Sequence, residues 1–159
     1  MERVHRSLPA DAVDPARVVD RVVLDLEGRR RRRQVALTES GRSILIDLAE
    51  VPSLRHGDAL VLEAGELVRV EALPEELMEV TVADPAERVK VAWHLGNRHL
   101  PVQFAGEAMR LRRDHVIAAM LAGLGATVRE ITAPFDPEAG AYGHHHQHPE
   151  AGGHAHGHG

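Results

Sequence analysis

Cysteine is absent from the 159-residue sequence, so no disulfide braces the fold and any bound metal must be held by nitrogen and oxygen donors. Zinc ribbons and redox dithiols are thereby excluded. Aromatic residues make up only 3% of the chain, which requires a mainly aliphatic core. No apolar run reaches the ~18 residues of a spanning helix, and none of signal-peptide length follows Met1 to Arg6. No membrane partner is expected, and the chain reads as cytoplasmic. The formal net charge of -5 argues against nucleic acid as the main partner. Gly-rich phosphate loops, a Gly-x-Ser-x-Gly elbow and an obvious nucleophile–base pair are missing too, so an enzyme is the least favoured class.

What is present is ordered patterning. From Val19 to Leu73 apolar residues alternate in short runs, such as Val22, Leu24 and Leu26, then Val35 and Leu37, then Ile44, Ile46 and Leu48. This is strand periodicity, broken by turn signals at Glu39-Ser40-Gly41 and Glu63-Ala64-Gly65-Glu66. Residues 1–74 are therefore expected to form a small antiparallel β domain, with Pro74-Glu75-Glu76 as a linker.

The following segment, 75–134, changes character. A strand over Leu77–Val82 leads into a helix announced by Asp84 as N-cap, Pro85 as first helical residue and Glu87 as capping-box partner. Val89, Ala92, Trp93 and Gly96 recur at helical spacing as a packing face, and Gly96 with Asn97 suits the helix end. A hairpin is expected from Val102–Phe104 and Ala108–Leu111, then a helix capped by Asp114 with a stripe of Ile117, Met120, Leu121 and Leu124, stopped by Gly125. Ala126–Thr132 gives a last strand. The order β-α-β-β-α-β predicts a ferredoxin-like unit, and the chain as a whole an α+β fold.

Beyond Pro134, residues 135–159 lose apolar periodicity and become rich in Gly, Pro, Ala and His, the composition of a disordered tail. Seven of the 12 histidines fall there: His144, His145, His146, His148, His154, His156 and His158. Imidazoles suit nickel, zinc, copper and iron, so the tract is expected to bind metal, although a tract alone follows the Irving–Williams order and cannot select nickel over copper. The interspersed Gln, Pro, Glu, Ala and Gly distinguish it from a purification tag.

Other candidates lie in the second segment. In His94-Leu95-Gly96-Asn97-Arg98-His99, His99 is placed on an accessible loop as a ligand, while the helix macrodipole offers a plainer reason for a histidine at that end. His94 is the weaker candidate, turned towards the fold. Asp114 reads first as an N-cap, and His115 as either a solvated first-turn residue or an auxiliary ligand. The five cations Arg29 to Arg33 suggest an anionic partner, but a solvated turn or protected strand edge explains them better, and no aromatic residues interleave for base stacking.

The stretch Trp93-His94-Leu95-Gly96-Asn97-Arg98-His99-Leu100-Pro101-Val102-Gln103 is similar to the signature of the UreE family, the nickel metallochaperones of urease maturation. The likeness extends to Leu54-Arg55-His56-Gly57-Asp58-Ala59-Leu60, to Leu67-Val68-Arg69-Val70, to Asp114-His115-Val116 and to the histidine-rich end. This resemblance implies a peptide-binding-like first domain and a homodimer of metal domains in which His99 of both subunits is the principal ligand. Asp114 and His115 match a second surface site of some members, though Arg113 stands where certain members have a further histidine. The implied cargo is Ni(II), with Zn(II) or Cu(II) able to use the same ligands. The implied partners are a UreG-like GTPase and the urease apoprotein. A histidine-rich storage or detoxification protein and a peptide-binding chaperone are the rival readings.

Overall fold

The computed structural model describes residues 1–138; the tail histidines His144 to His158 lie outside the described residues. In the N-terminal unit, β1 (Glu2–Val4), β5 (Ser43–Asp47) and β4 (Arg33–Leu37) form one sheet in that order. A second sheet runs β2 (Ser7–Leu8), β6 (Ala59–Val61), β7 (Leu67–Ala72) and β3 (Val18–Leu24). The period of two along each strand sends alternate side chains inward. Val4, Ala36, Ile44 and Ile46 from the first sheet thus share one aliphatic core with Val22, Leu24, Leu60, Val68 and Val70 from the second.

Two corrections to the sequence reading arise here. The unit is not purely antiparallel, because β1 pairs with β5, and β3 with β7, in parallel. Alternation records which face a residue occupies and carries no information on strand direction. The run through Leu26 also breaks, since Asp25 accepts from the Gly28 N–H at 2.6 Å and caps a short helix, α1 (Leu26–Arg29).

The second unit follows without a linker. β8 (Pro74–Thr81), α2 (Pro85–Asn97), β9 (Gln103–Ala105), β10 (Ala108–Arg112), α3 (His115–Gly123) and β11 (Thr127–Pro134) build one sheet in the order β11-β8-β10-β9, antiparallel throughout. The expected linker Pro74-Glu75-Glu76 is the start of β8, paired with Pro134, Ala133 and Thr132. Its composition looks like a linker, but proline is tolerated at the first residue of a strand. One face of the sheet, through Met78, Val80, Met109 and Leu111, packs on Val91 and Leu95 of α2 and on Ile117 and Leu121 of α3.

Leu77 points to the opposite face, where Leu26 and Phe135 cover it and join the two units. Beside them Arg29 is buried, donating to the carbonyls of Leu54 and Phe135 and to Asp136 Oδ1 at 2.5 Å. Two expectations fail at this junction. Arg29 is not part of a solvated turn, and Phe135 to Pro137 are packed residues, because an aromatic side chain and a buried guanidinium fasten them.

Candidate metal centre

The centre starts with how α2 begins and ends. Asp84 accepts from the Ala86 N–H at 2.8 Å and Pro85 occupies the first turn, as the sequence indicated, while Glu87 turns to Lys90. At the other end the His99 N–H donates to the Gly96 carbonyl at 3.0 Å, and the Leu100 N–H reaches back to Leu95 at 3.4 Å. These two bonds, with Leu100 packed on the buried Leu95 core, make a Schellman ending. The residue that must then turn left-handed is His99, with φ of 57°, the one non-glycine described residue with positive φ. Gly96 and Asn97, expected to end the helix, are still helical.

A left-handed histidine where glycine is usual costs an L-residue roughly 1–2 kcal/mol. The resulting turn lifts the imidazole off the helix into solvent. His99 stands in a cleft of about 430 Å³ whose wall also carries Arg30, Phe104 and Glu138.

The face of α2 beside this cleft is the reverse of the one the spacing suggested. Val91 and Leu95 are buried, whereas Val89 is 70% and Trp93 63% exposed; Phe104 on the adjoining hairpin is 54% exposed. Val89, Trp93 and Gly96 do form a helical stripe, but it faces outward. Periodicity finds a stripe and does not say what covers it. His94 is half-buried with its ring edge-on to Trp93, at 5.1 Å between centroids and 76° between planes.

Asp114 and His115 line a different cleft, of about 370 Å³, with Arg113 and Glu130. Asp114 caps α3, accepting from the N–H groups of Val116 and Ile117 at 2.9 and 3.1 Å. Arg113 is held by the carbonyls of Leu77 and Ile131. The structure therefore does not bring this pair to His99.

Among the described residues, no three or more His, Asp or Glu side chains gather closely enough to hold an ion. His99 is thus an accessible donor without a complete coordination sphere in one copy of residues 1–138. Arg30, Phe104 and Glu138 were missed in the sequence as neighbours of His99. Nothing in their local pattern marks them, since they come from three separate segments.

Residues 1–73 match the model for the UreE urease accessory protein N-terminal domain, and residues 75–159 that for its C-terminal domain. The chain belongs to the UreE urease accessory protein family. It is 54% identical over 128 residues to the urease accessory protein UreE of Rhodopseudomonas palustris strain HaA2, covering 80% of this chain and 60% of that protein. Against the Beijerinckia indica UreE the identity is 51%, over 81% of this chain and 77% of the relative. Against that of Chelativorans it is 48%, over 89% and 91%. The chain spans about three fifths of the length of several curated UreE relatives it matches, including two Rhodopseudomonas and two Bradyrhizobium proteins. Residues 93–103, which carry the resemblance in sequence, are the end of α2, its left-handed turn and the start of β9.

Proposed function

We propose that the protein is a nickel carrier that works as a homodimer and delivers Ni(II) to apo-urease during assembly, without catalysing a reaction itself. The observation that carries this reading is His99, an exposed imidazole on a costly left-handed turn, set beside an uncovered apolar stripe. A fold retains backbone strain where the surroundings hold it and function uses it. A two-fold axis across the stripe of Val89, Trp93 and Phe104 would cover those side chains and present two His99 imidazoles to one ion.

The donor set is one that nickel accepts. Two imidazoles leave a divalent ion short of the four to six donors such metals take, so further nitrogen or oxygen ligands must complete it. The tail offers them: Glu138 lies in the His99 cleft, and His144 is six positions further along, within roughly 20 Å of extended chain. Each tail contact becomes intramolecular once the ion sits at His99, so His144, His145, His146, His148, His154, His156 and His158 act through effective concentration. Ligation by exchangeable imidazoles, without thiolates, lets the ion pass to a docked acceptor. That acceptor is a UreG-like GTPase or the urease apoprotein complex, in the cytoplasm.

The βαββαβ order and the strand sequence β11-β8-β10-β9 support reading residues 75–134 as a ferredoxin-like metal and dimerisation domain, with 1–74 as the preceding β domain. The test is nickel titration calorimetry, with mass measured in parallel, on the intact chain, a version ending at Tyr142, and His99→Ala. The carrier reading expects about one tight nickel per dimer in the first two and its loss in His99→Ala. Loss on truncation with no effect of His99→Ala would make the tail the site and the protein a metal store.

A further inference from the structure

We propose that Glu138 is an oxygen ligand to the ion at His99, placed there by the junction between the two units. This rests on the carrier reading above and adds a donor that the sequence pattern did not mark.

Charge balance in the cleft supplies the first argument. Of the side chains on its wall, Arg30 is cationic, His99 is neutral when it binds metal, and Glu138 is the one carboxylate. Arg30 is half-buried there, and burial together with the adjacent Arg29 cation lowers its pKa. A divalent ion entering such a cleft meets a like charge unless an anion accompanies it. Glu138 provides that anion, and carboxylate oxygen beside imidazole nitrogen is a donor set nickel accepts.

Positioning supplies the second. Phe135 is fully buried, and Arg29 grips both its carbonyl and the Asp136 carboxylate. The Asp136 N–H donates to Gln103 Oε1 at 3.1 Å, and the Glu138 N–H donates to the Val102 carbonyl at 2.8 Å. Gln103 and Val102 follow His99 by only a few residues, so the same short segment that presents the imidazole also fixes the backbone of Glu138. The side chain itself is exposed and free to swing to an ion. A carboxylate with anchored backbone and mobile head suits a site that must both hold and release.

The experiment uses the full chain. Nickel affinity is measured by competition with a chelator for the native protein, Glu138→Gln, Glu138→Asp and His99→Ala, alongside the metal-free Tm of each. Glu138→Gln is expected to weaken nickel binding at least about tenfold, the low end of what even outer partners of a metal site cost. Its metal-free Tm should stay unchanged, with Glu138→Asp recovering part of the affinity. Glu138→Gln binding within twofold of native, while His99→Ala loses the ion, would overturn this proposal and leave the carrier reading standing. A weakening matched by a fall in metal-free Tm would also overturn it, since the residue would then act through the fold. Retention of the tight ion by His99→Ala would instead remove the underlying site, and this ligand with it.

Discussion

Replacing His99 with glycine separates what the residue does for the fold from what it does for a metal. The backbone there has φ of 57°, a region an L-residue occupies at a cost of roughly 1–2 kcal/mol and glycine occupies freely. Glycine also makes the unfolded chain more flexible, which takes back about 0.4–1 kcal/mol. The balance is a net gain of about 0.5–1 kcal/mol for metal-free His99→Gly. For a protein of this length that raises Tm by about 1–4 °C. Thermal unfolding should be followed with a chelator present, so that no bound ion contributes to the comparison.

Adding nickel should reverse the order. On the carrier reading, free nickel at 100 times its dissociation constant should stabilise the native protein by about 2.7 kcal/mol through mass action, and His99→Gly should gain far less. The stability ranking therefore crosses between metal-free and loaded protein. A metal-free His99→Gly that melts below the native chain would refute the reasoning, because His99 would then be serving the fold.

Four further outcomes are expected. Trp93→Glu, which places a charge in the uncovered stripe, should leave a monomer in sedimentation where the native chain forms the proposed dimer, with the far-ultraviolet circular dichroism unchanged. Phe135→Ala removes a fully buried ring from the junction and should cost about 3–5 kcal/mol in urea unfolding. Arg29→Met leaves the Asp136 carboxylate and two carbonyls without their donor and should cost about 3 kcal/mol by the same assay. Burial opposes the charge on Asp20, but hydrogen bonds from Ser40, Thr38 and the Arg21 and Ser40 N–H groups outweigh it and hold its pKa at about 2. Its folded value is below the ordinary one, so its stabilising effect is complete above about pH 4 and is lost as pH falls towards 2. After allowance for solvent screening that amounts to about 1–2 kcal/mol, and Asp20→Asn should flatten this part of the acid unfolding curve.

Local chemistry made much of this protein legible from its sequence. Asp84 with Pro85 and Asp114 are helix starts because a short oxygen-bearing side chain meets free N–H groups there. The hairpin at Gly106 and the helix stop at Gly125 follow from φ of 60° and 84°, which glycine supplies at no steric cost. The stretch from Trp93 to Gln103 carried the family resemblance, and the absence of cysteine limited the donors to nitrogen and oxygen.

Tertiary structure decided the rest, because the missing information lies between distant segments. The parallel pairings of β1 with β5 and β3 with β7 join strands with long connections between them, which no turn signal encodes. The stripe of Val89 and Trp93 was visible as a period, but only packing on Val91 and Leu95 shows that it faces outward. Arg29 looked like one member of a solvated run until Asp136 and Phe135 came round to it from the far end of the chain. His99 could be named as a candidate donor from its sequence. Its left-handed strain, and the arrival of Arg30 and Glu138 in the same cleft, depend on how helix, hairpin and junction close upon one another.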